Sequence, residues 1–129
     1  MSEIRADKLH NVTGDNDSGI DLSTNDVVAI DIAGSEKARM DSNGDLLIGK
    51  TSSSFDSSGI EFKGSNDTSF FTRSGTPMFL NRLSSDGDHI EFYKDGSSIG
   101  SIGTANSGDI FIGNDDVSLM MAGGSDAVI

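Results

Sequence analysis

Short stretches of alternating apolar and polar residues recur along this chain, and turn-forming residues separate them. The clearest stretch covers residues 27–32, in which Val28, Ile30 and Ile32 fall on one face of an extended backbone. Alternation with a period of two predicts a half-buried β-strand. Because these three side chains share a face, we expect them to lie in a core.

A three-stranded meander is predicted around this strand, over residues 27–49. A turn at residues 33–35 leads into a second strand at residues 36–41. The pair Asn43-Gly44 is a strong hairpin signal and precedes a third strand at residues 46–48, so Ile48 joins the same expected core.

A second β set is predicted over residues 60–121, after a Ser-rich connector at residues 51–58. Glycines fall about every ten residues, a spacing typical of all-β proteins. The single proline, Pro77, favours a strand start or an edge strand at its position. The apolar stretches of this set lie at residues 60–62, 70–71, 77–80, 89–93, 99–102, 109–112 and 117–121.

The first 26 residues form the other expected region, an extended arm with one or two short strands. Their apolar residues are isolated, and Ile4, Leu9 and Val12 are spaced as separate anchors. Such anchors suit pockets on another protein or the edge of a neighbouring subunit. A helix over residues 3–10, capped by Ser2, is a second interpretation.

Composition agrees with an all-β fold of short strands and tight hairpin turns. Almost half of the residues are Gly, Ser, Asp or Asn, which favour turns, whereas Trp is absent and Tyr occurs once. A chain of 129 residues with so few large apolar side chains has little core of its own. We therefore expect a partner chain to complete the core.

Charge and cysteine content exclude several classes of function. The chain has 9 basic and 21 acidic residues and a net charge of −12, which would repel nucleic acid and anionic lipid. No stretch approaches the ~20 apolar residues that span a bilayer, so membrane insertion is not expected. There is no Cys for disulfides or thiol chemistry. The N-terminal residues lack the apolar core of a secretory signal, and we expect synthesis in a cytoplasm without a leader.

No constellation of residues predicts catalysis, a metal or a cofactor, so the chain is not expected to be an enzyme. The acidic segment 15–21 resembles a calcium loop, but Ile20 and Asp26 occupy the positions where an EF-hand needs Gly and Glu. The two histidines, His10 and His89, are isolated in the sequence. An Asp- and Asn-rich turn and ordinary polar histidines are the preferred interpretations.

Two phrases of the sequence resemble those of bacteriophage tail-fibre and related virion proteins. Residues 34–52, Gly-Ser-Glu-Lys-Ala-Arg-Met-Asp-Ser-Asn-Gly-Asp-Leu-Leu-Ile-Gly-Lys-Thr-Ser, carry the first phrase. Residues 89–103, which begin His-Ile-Glu-Phe-Tyr-Lys-Asp-Gly, are similar to a second phrase, found particularly in marine phages. The opening residues 2–9 are similar to the usual start of these proteins.

This resemblance implies an elongated, interleaved homotrimer located in the virion tail. Residues 1–129 would be the tail-attached, N-terminal part of a fibre, with Ile4, Leu9 and Val12 contacting a tail or adaptor protein. The host surface would be contacted by a distal part outside this chain. Since no heptad pattern predicts a coiled coil, the trimer would be joined by β-layers, with Val28, Ile30, Ile32 and Ile48 in the inter-chain core.

A host-surface or glycan-binding β module is the alternative to a structural fibre protein. Exposed aromatic rings would serve such a module, and Phe70, Phe71 and Tyr93 are the candidates. The same rings could instead lie in the core.

Overall fold

The described part of the chain contains β-strands and no helix, which confirms the predicted all-β class. The computed structural model describes residues 5–13, 17–114, 117–122 and 127–128. None of these residues forms a helix, and so none forms a helix that could cross a membrane. The strands, in chain order, are β1 Lys8–His10, β2 Gly19–Asp21, β3 Val28–Ile32, β4 Ser35–Met40, β5 Leu46–Ile48, β6 Gly59–Lys63, β7 Thr68–Thr72, β8 Gly87–Lys94, β9 Ser97–Ala105, β10 Asp109–Gly113, β11 Ser118–Ala122 and β12 Ala127–Val128.

The strands form two separate antiparallel sheets. Sheet A contains β1 to β7 and sheet B contains β8 to β12, and in both sheets each strand pairs with its neighbours in sequence. The sheets belong to two compact units, residues 1–78 and 79–129. The expected boundary after residue 26 falls inside the first unit, because β1 and β2 are the first two strands of sheet A.

The meander predicted over residues 27–49 is confirmed as β3, β4 and β5. The hairpin between β4 and β5 turns at Gly44, whose φ of 77° favours glycine, and the Gly44 amide donates to the Asp41 carbonyl. Between β3 and β4 the register skips Lys37, which marks a bulge. Asn43-Gly44 therefore sets the hairpin that the sequence indicated.

The preferred interpretation of the first 26 residues, an arm with short strands, agrees with β1 and β2, whereas the alternative helix and one further predicted strand are wrong. The possible helix over residues 3–10 is replaced at Lys8–His10 by strand β1, in which Leu9 lies opposite Ile20 of β2 and Lys8 pairs with Asp21. Cross-strand contacts outweigh helix propensity in so short a segment. The strand predicted at residues 77–80 is not formed, since no strand occurs between β7 and β8.

Candidate functional site

One face of sheet A is apolar along its whole width. Residues that lie directly opposite one another on paired strands share a face and are in contact. The register therefore aligns one side chain from each of the seven strands in a single row. We call it the central row, and it consists of Leu9, Ile20, Ile30, Ala38, Ile48, Ile60 and Phe71.

A second row lies beside the first on the same face and is also apolar. It consists of Val28, Met40, Leu46 and Phe62, with Ser69 at its end. We call these two rows the apolar face of sheet A. None of its residues is charged, and much of the face is open to solvent: Ile30 is 44% exposed and Met40 is 50% exposed.

The opposite face of sheet A, its polar face, is the buried one. Its row runs Lys8, Asp21, Ala29, Arg39, Leu47, Glu61 and Phe70. Leu47 and Glu61 are completely shielded from solvent. The Ser-rich connector covers the β6–β7 end of this face, where Phe55 packs edge-on against Phe70 with ring centroids 5.3 Å apart, whereas the Lys8 side chain at the other end is 48% exposed. Sheet A is thus covered on the face that carries its charges and uncovered on its apolar face.

A buried polar network fastens the connector to this face. The Glu61 carboxylate accepts hydrogen bonds from the Lys50 ammonium, from the Ser53 hydroxyl at 2.8 Å and from the Ser54 amide at 2.8 Å. Lys50 also donates to the carbonyls of Ser54 and Ser57. We call Lys50, Ser53, Ser54 and Glu61 the Glu61 cluster; its members satisfy one another's hydrogen bonds, as buried polar groups must.

A second ion pair extends the Glu61 cluster toward the β4–β5 turn. Lys63 Nζ lies 2.9 Å from Asp45 Oδ2 and 3.8 Å from Glu61 Oε2. The other oxygen of Asp45 accepts from the Ser65 amide at 3.0 Å. Asp45 is only 1% exposed, so two lysines and two carboxylates balance their charges in a small, largely dry region.

The electrostatics of the cluster keep both carboxylates ionised. Burial alone raises the pKa of Glu61, but hydrogen bonds from Lys50, the Ser54 amide and Ser53 outweigh it and bring the pKa to about 2. The hydrogen bonds from Lys63 and the Ser65 amide lower the pKa of Asp45. Asp45 in turn raises the pKa of Lys63. The cluster is therefore a set of charged groups that hold one another, without a poised acid or base.

Glycine at position 59 makes room for this arrangement. Gly59 has a φ of 143°, and a Cβ there would lie 2.7 Å from Lys50 Cδ and 2.8 Å from the Ile48 carbonyl oxygen. Any larger residue would push the Lys50 stem away from Glu61.

One phrase, Ser-Gly-Ile-acid-apolar, occurs twice in the sequence, at residues 18–22 and 58–62, and forms a strand both times. Residues 18–22 contain all of β2, and residues 58–62 contain the first four residues of β6. Its acidic residue pairs with a lysine on the polar face in both cases, Asp21 with Lys8 and Glu61 with Lys50. The phrase thus puts Ile20 and Ile60 on the apolar face and an ion pair on the other.

Sheet B has an apolar face of the same kind. Its central row runs Ile90, Ile102, Ile112 and Leu119, and Phe92, Ile110 and Met121 lie on the same side. These residues are uncharged, and Ile112 and Leu119 are 44% and 47% exposed.

Of the residues predicted for an inter-chain core, Val28, Ile30 and Ile48 belong to the two rows of the apolar face of sheet A, and Ile32 follows them along β3 on the same side. Val28, Ile30 and Ile32 alternate along β3. Ile48 lies in the same row as Ile30, two strands further along the sheet. Their exposure ranges from 38% for Ile48 to 52% for Ile32. Within one chain they line a surface and do not form a closed core.

The residues predicted for tail attachment are not brought together as one site. Leu9 starts the central row of the apolar face, whereas Val12 follows β1 and is 98% exposed. Ile4 lies outside the described residues.

The aromatic candidates for a glycan site are mostly engaged with other rings. Phe70 packs on Phe55, and Phe71 packs on Phe62 with centroids 5.9 Å apart. Tyr93 is 59% exposed, and its hydroxyl donates to Glu91 Oε2 at 2.6 Å. Phe70 and Phe71 therefore pack against rings within the first unit, and Tyr93 is exposed on the second.

Metal-ligating side chains do not cluster in the described part of the chain: no three His, Asp or Glu residues there converge as ion ligands. His89 Nε2 lies 3.5 Å from the Thr104 hydroxyl. Within the acidic segment 15–21, Asp15 and Asn16 lie outside the described residues.

Sequence reasoning missed the Glu61 cluster. Alternation along β6 indicated that Glu61 and Lys63 lie on one face of the strand and that Ile60 and Phe62 lie on the other. Nothing local indicated that the serines of residues 51–58 would fold back to donate hydrogen bonds to Glu61.

Comparison of the chain with known protein families, curated proteins and solved structures finds no match.

Proposed function

We propose that this chain is a structural protein of a bacteriophage virion, the tail-attached part of a homotrimeric tail fibre that serves host adsorption. The two phrases at residues 34–52 and 89–103, which resemble those of tail-fibre proteins, support the assignment to a virion. The physical support comes from the apolar face of sheet A.

The main observation behind this proposal is that the apolar face of sheet A is wide, uncharged and uncovered. Eight large apolar side chains on this face or directly beside it are 38–52% exposed, namely Leu9, Ile20, Val28, Ile30, Ile32, Met40, Ile48 and Phe62. A contiguous apolar patch of several hundred Å² marks an interaction surface in a soluble protein. Removing the remaining exposed half of one such side chain from water contributes about 1 kcal/mol. A partner that covers the face would gain several times that amount.

A second copy of the chain is the partner we propose. The net charge of −12 would oppose association of like chains if acidic groups met at the interface. The apolar face carries no charge, and the acidic residues of sheet A lie on its polar face and in its turns. Identical apolar faces can therefore meet without placing like charges in contact.

The order of the strands suits a fibre. Each strand of sheet A pairs with the next in sequence, so the chain advances by about 4.8 Å per strand without returning. Its strands are only three to six residues long. A narrow sheet that advances in one direction can line an axis, and three such sheets could enclose one with their apolar faces inward.

Attachment to the tail is proposed for the N-terminal segment, as the resemblance implies. Val12 is almost fully exposed and is available to a pocket on a tail or adaptor protein. Leu9 belongs to the apolar face and would contribute to the trimer as well.

The glycan-binding alternative has weaker support. A sugar-binding platform needs exposed rings that lie together, whereas Phe70 and Phe71 are each packed against another ring.

Purified phage particles test the proposal. Protein mass spectrometry of particles should detect this chain, and an antibody against it should label the tail in electron micrographs. Particles made without the gene should lack the fibre and adsorb to host cells at least tenfold more slowly. A chain that is expressed during infection but absent from particles would contradict a virion role. Binding of the isolated protein to a glycan array would instead favour the alternative.

A further inference from the structure

The segment Pro77–Leu83, Pro-Met-Phe-Leu-Asn-Arg-Leu, has the chemistry of a strand but no strand partner. It lies between β7 and β8, and residues 73–86 form no backbone–backbone hydrogen bond among the described residues. Its apolar side chains are unusually open to solvent: Phe79 is 82% exposed and Leu83 is 75% exposed. Arg82 donates through its side chain to the carbonyl of Ser85 at 3.1 Å.

An apolar segment with free backbone groups can add to the edge of a sheet. Its amides and carbonyls then form the missing ladder bonds, and alternate side chains are buried. Proteins normally prevent such addition by placing charges, prolines or bulges on their edge strands. An edge without these features is therefore the expected acceptor.

Strand β7 is such an edge. It pairs on one side only, with β6, and its five residues, Thr-Ser-Phe-Phe-Thr, include no charge and no proline. Its pairing with β6 is regular, without a bulge. The other edges are protected or short: β8 carries Asp88, Glu91 and Lys94, β1 carries Lys8, and β12 has two residues.

We propose that residues 78–82 of one copy pair antiparallel with β7 of a neighbouring copy. This inference rests on the proposed assembly of several copies and specifies how they are joined. The register that sets apolar side chains opposite Phe70 and Phe71 places Phe79 opposite Phe71 and Asn81 opposite Ser69, and it leaves Met78 opposite Thr72. On the other face the same register places Leu80 opposite Phe70.

The added strand extends the apolar face of sheet A. Phe71 ends the central row, and Phe79 would continue it as an eighth member. Phe79, more exposed than Met78, Leu80 and Leu83, thereby becomes buried. Copies joined in this way exchange strands, which explains how chains with little core of their own could form a stable fibre.

Engineered cysteines test the exchange, because the chain has no Cys of its own. Variant Ser69→Cys with a short tag and variant Asn81→Cys with a longer tag are co-expressed and oxidised, and the products are separated on a non-reducing gel. Directly opposite residues are close enough for a disulfide or a short bis-maleimide linker. We expect the mixed-tag dimer to be at least tenfold more abundant than the same-tag dimers that either variant forms by itself. The matched control pairs Asn81→Cys with Ser42→Cys, an exposed residue of the β4–β5 turn, and should give only background.

A double variant, Ser69→Cys with Asn81→Cys in one chain, shows whether the segment pairs with β7 of another copy or with β7 of its own chain. Exchange within a trimer predicts covalently linked dimers and trimers, whereas a monomer with an internal cross-link would overturn the exchange. The pair Thr68→Cys and Arg82→Cys tests the same register if the first pair disturbs folding. Light scattering on the same samples separates the two proposals. An oligomer without inter-chain cross-links overturns the exchange alone, and a folded monomer overturns the proposed assembly as well.

Discussion

Lys50 and Glu61 form an ion pair that is almost closed to solvent, with side chains 5% and 0% exposed. The pair joins Lys50, the second residue after β5, to the centre of β6. It holds the Ser-rich connector over the polar face of sheet A, so the charged face is the covered one. The apolar face opposite remains available for assembly.

Replacing Glu61 with Gln should destabilise the fold substantially. The amide keeps the shape of the side chain but leaves the Lys50 ammonium buried without a counter-charge. Breaking a buried pair in this way costs about 3 kcal/mol or more. Urea unfolding of Glu61→Gln should show this loss.

The matched control is Glu36→Gln. Glu36 pairs with Arg39 on a more open part of sheet A, where the side chains are 21% and 20% exposed. Breaking this part-buried pair should cost less than breaking the Lys50–Glu61 pair, because water can still reach the guanidinium that is left. Equal losses for the two variants would contradict the importance of the Glu61 cluster.

Stability should fall at acid pH partly through Glu61. Its pKa in the folded chain is about 2, below the ordinary value of 4.5. The ionised carboxylate therefore contributes its full stabilisation above about pH 4.5, and this contribution is lost as the pH falls toward about 2. Asp45, whose pKa is also lowered, acts in the same direction.

Melting curves followed by circular dichroism between pH 7 and pH 2 would measure this effect. The difference in Tm between the wild-type chain and Glu61→Gln should be constant above pH 6 and should narrow below pH 4.5. A difference that is the same at pH 7 and pH 2 would show that the charge of Glu61 is not responsible.

Substitutions at Ile30 should weaken the assembly. Ile30 is 44% exposed in a single chain and would be fully buried in a trimer. Ile30→Ala should therefore cost about 2–5 kcal/mol per chain in the assembly and less in a separated chain. Ile30→Asp, which puts a charge on the apolar face, should shift the protein toward monomers at micromolar concentration.

Light scattering and the concentration dependence of Tm distinguish these outcomes, because a dissociating oligomer melts at lower temperature on dilution. Ser42→Asp, which adds the same charge in an exposed turn, is the control and should leave the oligomer intact. A wild-type chain that is a stable, folded monomer would remove the basis of this prediction.

Deleting residues 2–13 should leave a folded trimer that no longer joins the tail. The deletion removes β1, which pairs only with β2, and leaves the register of β2 to β7 unchanged. Electron micrographs of particles carrying the deletion should show fewer fibres, and Val12→Ser should show a smaller reduction of the same kind. A normal number of fibres on the deleted particles would place attachment elsewhere.

Local sequence determined the type and position of most strands. The alternation of Val28, Ile30 and Ile32 predicted β3, and Asn43-Gly44 predicted the hairpin between β4 and β5. Both features depend on backbone preferences and side-chain direction over a few residues, and these can be inferred from the local sequence. The shared face of Val28, Ile30 and Ile32 followed from the same alternation.

Only the tertiary structure decided which face of sheet A is covered. Glu61 and Lys50 are eleven residues apart, and their pairing requires the serines between them to fold over β6. The single row from Leu9 to Phe71 depends on the register of seven strands, and each register depends on non-local contacts. Pro77–Leu83 has the composition of a strand, but a strand forms only where another backbone supplies its hydrogen bonds. Alternation along a chain can specify the two faces of a strand, whereas the neighbours of those faces are set by parts of the protein far away in sequence.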